Sequence, residues 1–378
     1  LIVRNKDSCM SNEKDYSLDN QLRDMGGSWR KCSEGFKKKE VAMFKDYVRV
    51  EKRSVIKYGS RMSRLLIIGI IVCVLCSAMA YGAEYPTKAI QIISPFPPGG
   101  GTDFTARALS KKVSIILGQK VIVVNKPGGM GIAGYQFVAT APSDGYKVIV
   151  AAPSVILAPL TVEGVPIKFK DFTPINIPVT LSVVLAVNKD APWKTLQELI
   201  SEAKKNPGKL SYASAGPNTL PHLAAKLFQL DTATSIKHLP MNGAARAIVT
   251  VLGRHADMIL NAIGAQMTSH IEAGTLRALA VMSRKRLEVF PDIPTTIEMG
   301  YPKLIATNWY ALLVRAGTSP AIIRKLGGAF HEALKDKEVI SLFKKAGMPI
   351  KNLAPKEAIR FLGEEEKKFS KLVKMSEM

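Results

Sequence analysis

A run of prolines and glycines leads into a helix-like segment and could bind an anion. The stretch SPFPPGGGTDFTARALS, residues 94–110, places Gly99, Gly100 and Gly101 directly before that segment. Glycine lets the backbone approach a ligand closely and adopt positive φ. The free N–H groups and the dipole at a helix start favour a negatively charged ligand. The same residues also fit a plain strand-to-helix turn, so the loop alone leaves both interpretations open.

The glycine loop does not match a nucleotide-binding motif. No lysine follows the glycines, as G-x-x-x-x-G-K-[ST] requires. Residues 129–134 do match G-x-G-x-x-G between a predicted strand and a predicted helix. That match follows the second strand rather than the first, and no acidic residue ends the next strand to bind a ribose. The pattern therefore disfavours a nucleotide, and we expect no cofactor.

Asp103 has two possible roles. It could act as a general base, or Thr102 or Asp103 could cap the helix that follows the glycines. A carboxylate ligand would be repelled by the Asp103 side chain. We therefore expect Asp103 to order the loop and to hold bridging water rather than to touch such a ligand.

Nothing in the sequence indicates a metal site or a catalytic serine. Ser214, in YASAG, lacks the first glycine of G-x-S-x-G, and no acid–histidine partnership can be assigned to it. The histidines show no metal-binding spacing, and they are His222, His238, His255, His270 and His331. Only His222, at the start of a predicted helix, is expected to shape a pocket wall. The chain is therefore predicted not to be an enzyme.

Alternating strands and helices must position these loops. Residues 88–154 read as βαβαβ, residues 181–263 as a second α/β unit, residues 276–283 and 308–317 as two further strands, and the tail from residue 319 as helical. This order predicts two α/β domains of similar size. Ligands of such sheets bind beyond the carboxyl ends of the strands, where the glycine loops after QIISPF, VIVVNKP and LSYASAG fall.

Residues 62–80 have the layout of a secretory signal peptide. A short basic segment precedes the apolar run at residues 65–76, and Ala78 and Ala80 occupy the −3 and −1 positions of a cleavage site. The run is shorter than the about 20 apolar residues of a spanning helix. We predict export to the periplasm, with an uncleaved membrane anchor as the alternative. Residues 1–61 are interpreted as a non-native or leader extension.

Cysteine placement and charge narrow the possible functions. All four cysteines lie within the first 76 residues, so the exported part is expected to have no disulfide and no cysteine nucleophile. The formal net charge is +22, but the lysines are scattered and lack interleaved aromatic residues. This distribution favours attraction of small anions over binding of nucleic acid.

Five ordered motifs resemble those of a known receptor family. They are YPTKAIQIISPFPPGGGTDFTARAL, LGQKVIVVNKPGGMGIAGYQFVATAPSDGYKVIVA, LSYASAGPNTLPHLAAKLF, LRALAVMSRKRLEVFPDIPTTIEMGYP and NWYALLVRAGTSPAIIRKL. The stretch from residue 84 to residue 378 resembles the substrate-binding proteins of tripartite tricarboxylate transporters, the Bordetella uptake gene (Bug, TctC-like) family.

The resemblance implies a fold and a division into lobes. It implies an α/β, type II periplasmic-binding-protein fold, in which two lobes are joined by two crossing strands around residues 181–189 and 308–315. Lobe I would comprise residues 84–182 and 310–378, and lobe II residues 183–309. The ligand would lie in the cleft between the lobes and be enclosed by Venus-flytrap closure at the hinge.

The resemblance also implies a function and a ligand site. The protein would be a monomeric, non-enzymatic receptor that delivers a small mono-, di- or tricarboxylate to membrane permease subunits. The implied ligand-binding residues are Pro98, Gly99, Gly100, Thr102, Asp103, Ser154, Ser214, Gly216, Asn218, Asn242, Gly243 and Asn261. A secreted α/β enzyme acting on an anionic substrate, and a sensor component that presents its ligand-loaded form, are the alternatives.

Two departures from the family pattern lie on the second lobe. The family usually has a tyrosine before the glycine of its P-Y-x-G segment, where this sequence has Met241 and Asn242. Its L-L-G-G-x-V-D stretch reads VLGRHAD here, with Arg254 and His255. The methionine predicts a less polar pocket at the far end of the ligand.

Overall fold

The computed structural model describes residues 85–376, which form ten strands and ten α-helices. The predicted signal peptide and leader extension lie outside these residues. The strands are β1 (Ile90–Ser94), β2 (Val121–Asn125), β3 (Lys147–Ala151), β4 (Phe172–Asn188), β5 (Ser211–Ser214), β6 (Lys237–Pro240), β7 (Met258–Ala262), β8 (Leu276–Met282), β9 (Thr307–Arg315) and β10 (Ile350–Leu353). The helices are α1 (Gly101–Leu117), α2 (Ile132–Ala139), α3 (Ser154–Thr161), α4 (Leu196–Lys205), α5 (Leu220–Thr232), α6 (Ala244–Leu252), α7 (Ala265–Glu272), α8 (Pro320–Ala333), α9 (Lys337–Lys345) and α10 (Pro355–Ser376).

The first lobe is built on β-branched strands covered by helices. β1 pairs in parallel with β2 on one side and β3 on the other, and Ile92 and Ile93 of β1 are fully buried. α1 packs on this sheet through Ala106, Leu109 and Val113 and ends at Gly118, whose φ of 64° closes the last turn. The buried β-branched runs and helix-terminating glycine explain why the predicted βαβαβ order is found here.

The long strand β4 joins the two lobes. Its first part pairs antiparallel with β9, from Phe172 opposite Arg315 to Ser182 opposite Thr307. From Val183 onward its partners are β7 and β8 instead. The full strand order is β2-β1-β3-β9-β4-β7-β5-β6, with β8 and β10 also on β4. β4 and β9 are therefore the two strands that cross between the lobes.

β4 begins nine residues earlier than the strand predicted at residue 181. Pro174 and Pro178 interrupt the apolar pattern before that point, and proline usually marks a strand edge or a bulge. The pairing of β4 with β9 shifts register on both sides of Asn176, which accommodates the prolines.

None of the helices between residues 85 and 376 is long and apolar enough to cross a membrane.

Candidate functional site

Two adjoining cavities lie between the lobes, beyond the carboxyl ends of the parallel strands. The larger has a volume of about 60 Å³ and the smaller about 20 Å³. The residues that line both are Gly100, Gly101, Ala244, Asn261, Ala262 and Tyr310. The larger cavity continues towards the loops that precede α3 and α5, and the smaller towards the start of α7.

Five helices begin at the walls of these cavities. They are α1, α3, α5, α6 and α7, whose first residues are Gly101, Ser154, Leu220, Ala244 and Ala265. No side chain caps any of the five starts. By contrast, Thr195, Ser319 and Asp336 cap the starts of α4, α8 and α9, which do not line the cavities. The first turns of α1, α6 and α7 therefore keep N–H groups that can donate hydrogen bonds to an anion. At α3, by contrast, the N–H groups of Val155 and Ile156 bond to Ala152 O and Pro153 O, and Pro221 in α5 has no N–H.

The start of α1 corrects the predicted cap. The N-cap residue is Gly100 and makes no side-chain hydrogen bond, so neither Thr102 nor Asp103 is the cap. The first intrahelical bond runs from Phe104 N–H to Gly100 O, at 2.9 Å. The cap prediction failed because the helix begins one residue earlier than expected, at Gly101.

Asp103 instead holds the glycine loop from inside the first turn. Its carboxylate accepts hydrogen bonds from Gly99 N–H at 3.1 Å, from Arg107 Nε at 3.0 Å and from Asn125 Nδ2 at 2.9 Å. Burial by itself raises the pKa of this carboxyl, but the bonds from Arg107, Gly99 and Asn125 outweigh burial and lower the pKa below its ordinary value. Asp103 is thus ionised and paired with Arg107, and it orders the loop, as predicted.

The crossing strand β9 forms the floor of the larger cavity. Asn308 and Tyr310 are two residues apart, line the cavity and are nine-tenths buried. A Cβ added to Gly101 would overlap the Tyr310 hydroxyl, so only glycine lets the ring reach the start of α1. Burial raises the pKa of Tyr310 despite a hydrogen bond with Asn308, so the phenol stays neutral and can donate a hydrogen bond.

The loop between β5 and α5 is supported from behind by two histidines. The Ser214 Oγ lies 2.8 Å from His238 Nε2 and also bonds to Gly216, while Asn218 N–H donates to His222 Nδ1 at 3.2 Å. The two imidazole rings lie 4.2 Å apart. Burial lowers the pKa of His222 to about 4, aided by His238 and Lys226. His222 therefore positions this loop without lining either cavity.

The loop between β6 and α6 brings the second lobe against the first. Gly243 has a φ of 106°, and a Cβ there would lie 3.2 Å from Cδ of Pro97. Its N–H donates to Ala215 O at 3.1 Å, which ties this loop to the β5–α5 loop. Met241 packs against the core beside Thr250 and lines neither cavity. Its position gives no support to the predicted less polar pocket.

Neither cavity has a charged wall. Among residues 85–376, no Asp, Glu, Lys, Arg or His side chain lines either one. In the same part of the chain, no three His, Cys, Asp or Glu side chains come together as metal ligands would. The polar atoms available to a ligand are backbone N–H groups, hydroxyls and amides.

The family model described as the tripartite tricarboxylate transporter family receptor matches residues 105–378. The chain belongs to this family. Protein BugT of Bordetella pertussis is 34% identical over 321 residues, which are 83% of this chain and 97% of BugT. The solved structure of the periplasmic binding protein BugD is 27% identical with a TM-score of 0.74, over 77% of this chain and 98% of BugD. An R. palustris protein solved with adipate is 25% identical with a TM-score of 0.75, over 78% of this chain and 98% of its own.

These findings confirm the predicted family and the predicted periplasmic-binding-protein fold. The receptor places five of the twelve predicted ligand residues on the cavity walls, and these are Gly99, Gly100, Thr102, Ser154 and Asn261. The other seven do not line the cavities, and these are Pro98, Asp103, Ser214, Gly216, Asn218, Asn242 and Gly243. Most of the seven shape or support the loops whose neighbours, such as Ala215 and Thr219, line the larger cavity.

Several wall residues of the receptor were not predicted, notably Asn308, Tyr310 and Gln266. Asn308 and Tyr310 did leave a signal, because they are alternate polar residues that precede the apolar run of the same strand. Gln266 left none, because nothing in the sequence predicted the helix α7 that carries it.

Proposed function

We propose that this protein is an extracytoplasmic solute receptor that binds a small organic carboxylate between its lobes. It delivers the ligand to the membrane permease subunits of a tripartite tricarboxylate-type transporter, acts as a monomer and has no enzymatic activity or cofactor. Export through the predicted signal peptide places it in the periplasm. The adipate held by the R. palustris relative supports a carboxylate as ligand.

One observation carries this proposal: five helix starts without side-chain caps converge on cavities without a charged wall. Each helix start presents about half a positive charge, and the starts of α1, α6 and α7 also present free N–H groups. An anion gains both, whereas a cation would find no counter-charge. The ligand would act as the missing cap of several helices at once.

The proposed contacts combine direct and indirect roles. Gly99, Gly100, Thr102, Ser154 and Asn261 face the ligand, together with Asn308 and Tyr310. The remaining predicted residues are proposed to act indirectly, through loop shape and bridging water. They are Pro98, Asp103, Ser214, Gly216, Asn218, Asn242 and Gly243. Ionised Asp103, which is paired with Arg107, keeps its charge away from the ligand.

Closure of the lobes is the proposed response to the ligand. The change of β4 partners between Ser182 and Val183 supports lobe boundaries at residues 84–182 with 310–378 and at residues 183–309. Contacts to both lobes would shift the population towards the closed form. The permease would then recognise the closed, loaded receptor.

The contact between Ser214 and His238 resembles part of a hydrolase site but does not favour an enzyme. Ser214 is fully buried, and its Oγ also bonds to the backbone of Gly216. A nucleophile must reach its substrate, and this hydroxyl lines neither cavity.

Mass spectrometry of the natively purified protein, followed by calorimetry over a panel of mono-, di- and tricarboxylates, tests the proposal. We expect a retained carboxylate or a panel member that binds at one per chain with micromolar affinity. A protein that carries no carboxylate and binds none of the panel would show that the proposed function is wrong.

A further inference from the structure

We infer that the outer edge of β2, on the first lobe, binds an extended acidic segment of a partner protein, which joins the sheet as a further strand. This surface is separate from the ligand site, since no residue of β2 lines either cavity. The inference therefore goes beyond the proposed function, and it does not depend on which ligand the cleft binds.

β2 offers hydrogen-bonding groups along its outer side. Among residues 85–376 it pairs only with β1, and it stands at one end of the strand order. Lys126 N–H, just after β2, donates to Ser94 O of β1 at 2.8 Å. Backbone groups point to alternate sides along a strand, so those of Val121, Val123 and Asn125 point outwards. In the part of the chain that the structure describes, these outward groups have no hydrogen-bond partner.

The opposite edge of the sheet, β6, is protected. Met241 N–H, just after β6, donates to Ser214 O of β5 at 3.1 Å, so the backbone of His238 and Pro240 points outwards. Proline has no N–H to donate, and natural sheets use short strands, charges and proline to prevent pairing at an edge. β2 contains neither a proline nor a charged residue. Its edge can therefore accept a further strand.

Exposed apolar side chains concentrate at this edge. Ile122 of β2 is 44% exposed. Ile115 and Ile116 lie at the end of α1, which packs on β2, and are 65% and 39% exposed. Of the nine large apolar side chains that are this exposed among residues 85–376, three thus fall within eight residues of the chain. Exposed apolar side chains beside an open strand edge are typical of a surface that binds an extended peptide.

Lysines around the edge favour an acidic partner. Lys120 and Lys126 flank β2 and are exposed. The ammonium groups of Lys126 and Lys147 lie 4.9 and 5.3 Å from the ring centroid of Phe137. Within residues 85–376 none of these three lysines forms an ion pair. A segment with Asp or Glu on either side of its apolar residues would meet opposite charges here.

The same lysines disfavour a second copy of this chain as the partner. If β2 of two copies paired antiparallel about Val123, Lys120 of one copy would lie opposite Lys126 of the other at both ends. Like charges directly opposite each other destabilise a strand pair. A lipid surface would attract the lysines but would not match the alternating donors and acceptors of a strand edge. An acidic protein segment satisfies both the charges and the edge.

Selection from a phage library of random peptides of about ten residues tests the inference. We expect the wild-type protein to select peptides in which Asp or Glu flanks apolar residues. Val123→Pro should weaken the binding of the synthesised peptides at least about tenfold in fluorescence anisotropy, because it removes an outward N–H. The variant should fold, since proline is tolerated on edge strands. A selection that enriches no peptide, or peptides that bind both proteins equally, would overturn the inference.

Charge reversal gives a test that does not depend on the proline variant. Lys120→Glu combined with Lys126→Glu should weaken the binding of the selected peptides by about tenfold or more, because attraction becomes repulsion. The matched control combines Lys204→Glu with Lys209→Glu at exposed positions of the second lobe and should leave the affinity unchanged. Equal effects of the two double variants would overturn the role of the lysines at the edge.

Two further measurements test the other occupants of the edge. Sedimentation should show a monomer, and a dimer that Val123→Pro dissociates would overturn the choice of an acidic partner. Binding to phosphatidylglycerol vesicles that Lys120→Glu with Lys126→Glu abolishes, together with peptides that Val123→Pro does not affect, would assign the surface to lipid headgroups and would also overturn the inference.

Discussion

At the scale of single residues, the contact between Gly101 and Tyr310 joins the start of a helix to a crossing strand at the cleft. Gly101 begins α1 and Tyr310 lies on the crossing strand β9. The phenol reaches the helix start because position 101 has no side chain. This contact brings a neutral hydroxyl donor to the N–H groups at which we propose that a carboxylate binds.

Gly101→Ala should therefore abolish ligand binding. The added methyl group displaces Tyr310, and overpacking of this kind costs about 1–3 kcal/mol of unfolding free energy. Calorimetry and urea denaturation measure the two effects. The matched control is Gly328→Ala in α8, where an added Cβ meets nothing, and stability there should rise by about 1 kcal/mol with binding unchanged. Normal affinity in Gly101→Ala would contradict the role given to this contact.

Asp103→Ala should loosen the glycine loop. The substitution removes the acceptor of Gly99 N–H and leaves Asn125 and Arg107 without their shared partner, so we expect a loss of about 1–3 kcal/mol of stability and weaker ligand binding. Because the pKa of Asp103 is lowered in the folded state, the wild-type contribution is present above the ordinary pKa and is lost as the pH falls through the folded value. Denaturation at pH 7 and at pH 3, with the exposed Asp231→Ala as control, measures both effects. Equal stability of the Asp103 variant and wild type at pH 7 would argue against this role.

The sequence predicted the cleft residues of the glycine loop better than those that β9 and α7 contribute. The Gly99 and Gly100 loop is a local pattern, and its place after a buried strand fixes where it lies. Tyr310 and Gln266 reach the cleft only because particular elements cross or end there, and residue spacing does not encode that arrangement.

At the scale of elements, the loop between β5 and α5 depends on a neutral His222. The imidazole accepts a hydrogen bond from Asn218 N–H, and a proton on Nδ1 would remove that bond. Among residues 85–376, the groups that face it are Tyr212, His238 and Lys226, so a positive charge here meets no acidic partner in that part of the chain. The shape of this loop is thus linked to pH.

We expect the stability of the wild-type protein to fall as the pH falls from about 6.5 to about 4. The pKa of His222 is lowered from 6.5 to about 4 in the folded state, so the unfolded chain binds more protons in this window. Urea denaturation over that range should show a smaller decline for His222→Asn, whose amide oxygen can accept the Asn218 bond. His255→Asn, at an exposed position, should keep the wild-type decline. Parallel curves for all three proteins would refute the link.

The elements that the sequence missed have weak local patterns. The tail from residue 319 was predicted to be helical throughout, but it contains the short strand β10, which forms by pairing with β4. The strand predicted at β4 was too short, because Pro174 and Pro178 interrupt the apolar pattern. In the structure, the register shifts around Asn176 accommodate both prolines. α3, with Pro159 inside it, and the eight-residue α7 carry weak helical patterns and are held by their surroundings. The longer helices α1, α5 and α6 were predicted closely, because their apolar periodicity and flanking glycine or proline residues mark them locally.

At the scale of the whole molecule, the two crossing strands β4 and β9 are the proposed hinge between the lobes. The approach of Gly243 to Pro97 and of Gln266 to Gly99 shows where the two lobes meet across the cleft. We expect small-angle X-ray scattering to show a smaller radius of gyration when a binding carboxylate is added, because the ligand contacts both lobes. Gly101→Ala should show no change with the same ligand. A ligand that binds without changing the wild-type scattering would argue against hinge closure.

The most direct test of the whole account is a crystal structure of the protein with a bound carboxylate. We predict that carboxylate oxygens lie about 2.7–3.2 Å from backbone N–H groups in the first turn of α1, with Tyr310 and Asn261 as further partners. We also predict that no cationic side chain contacts the ligand. A carboxylate bound outside the cleft, or one held in the cleft by Lys or Arg, would contradict the claim that helix starts without caps form this binding site.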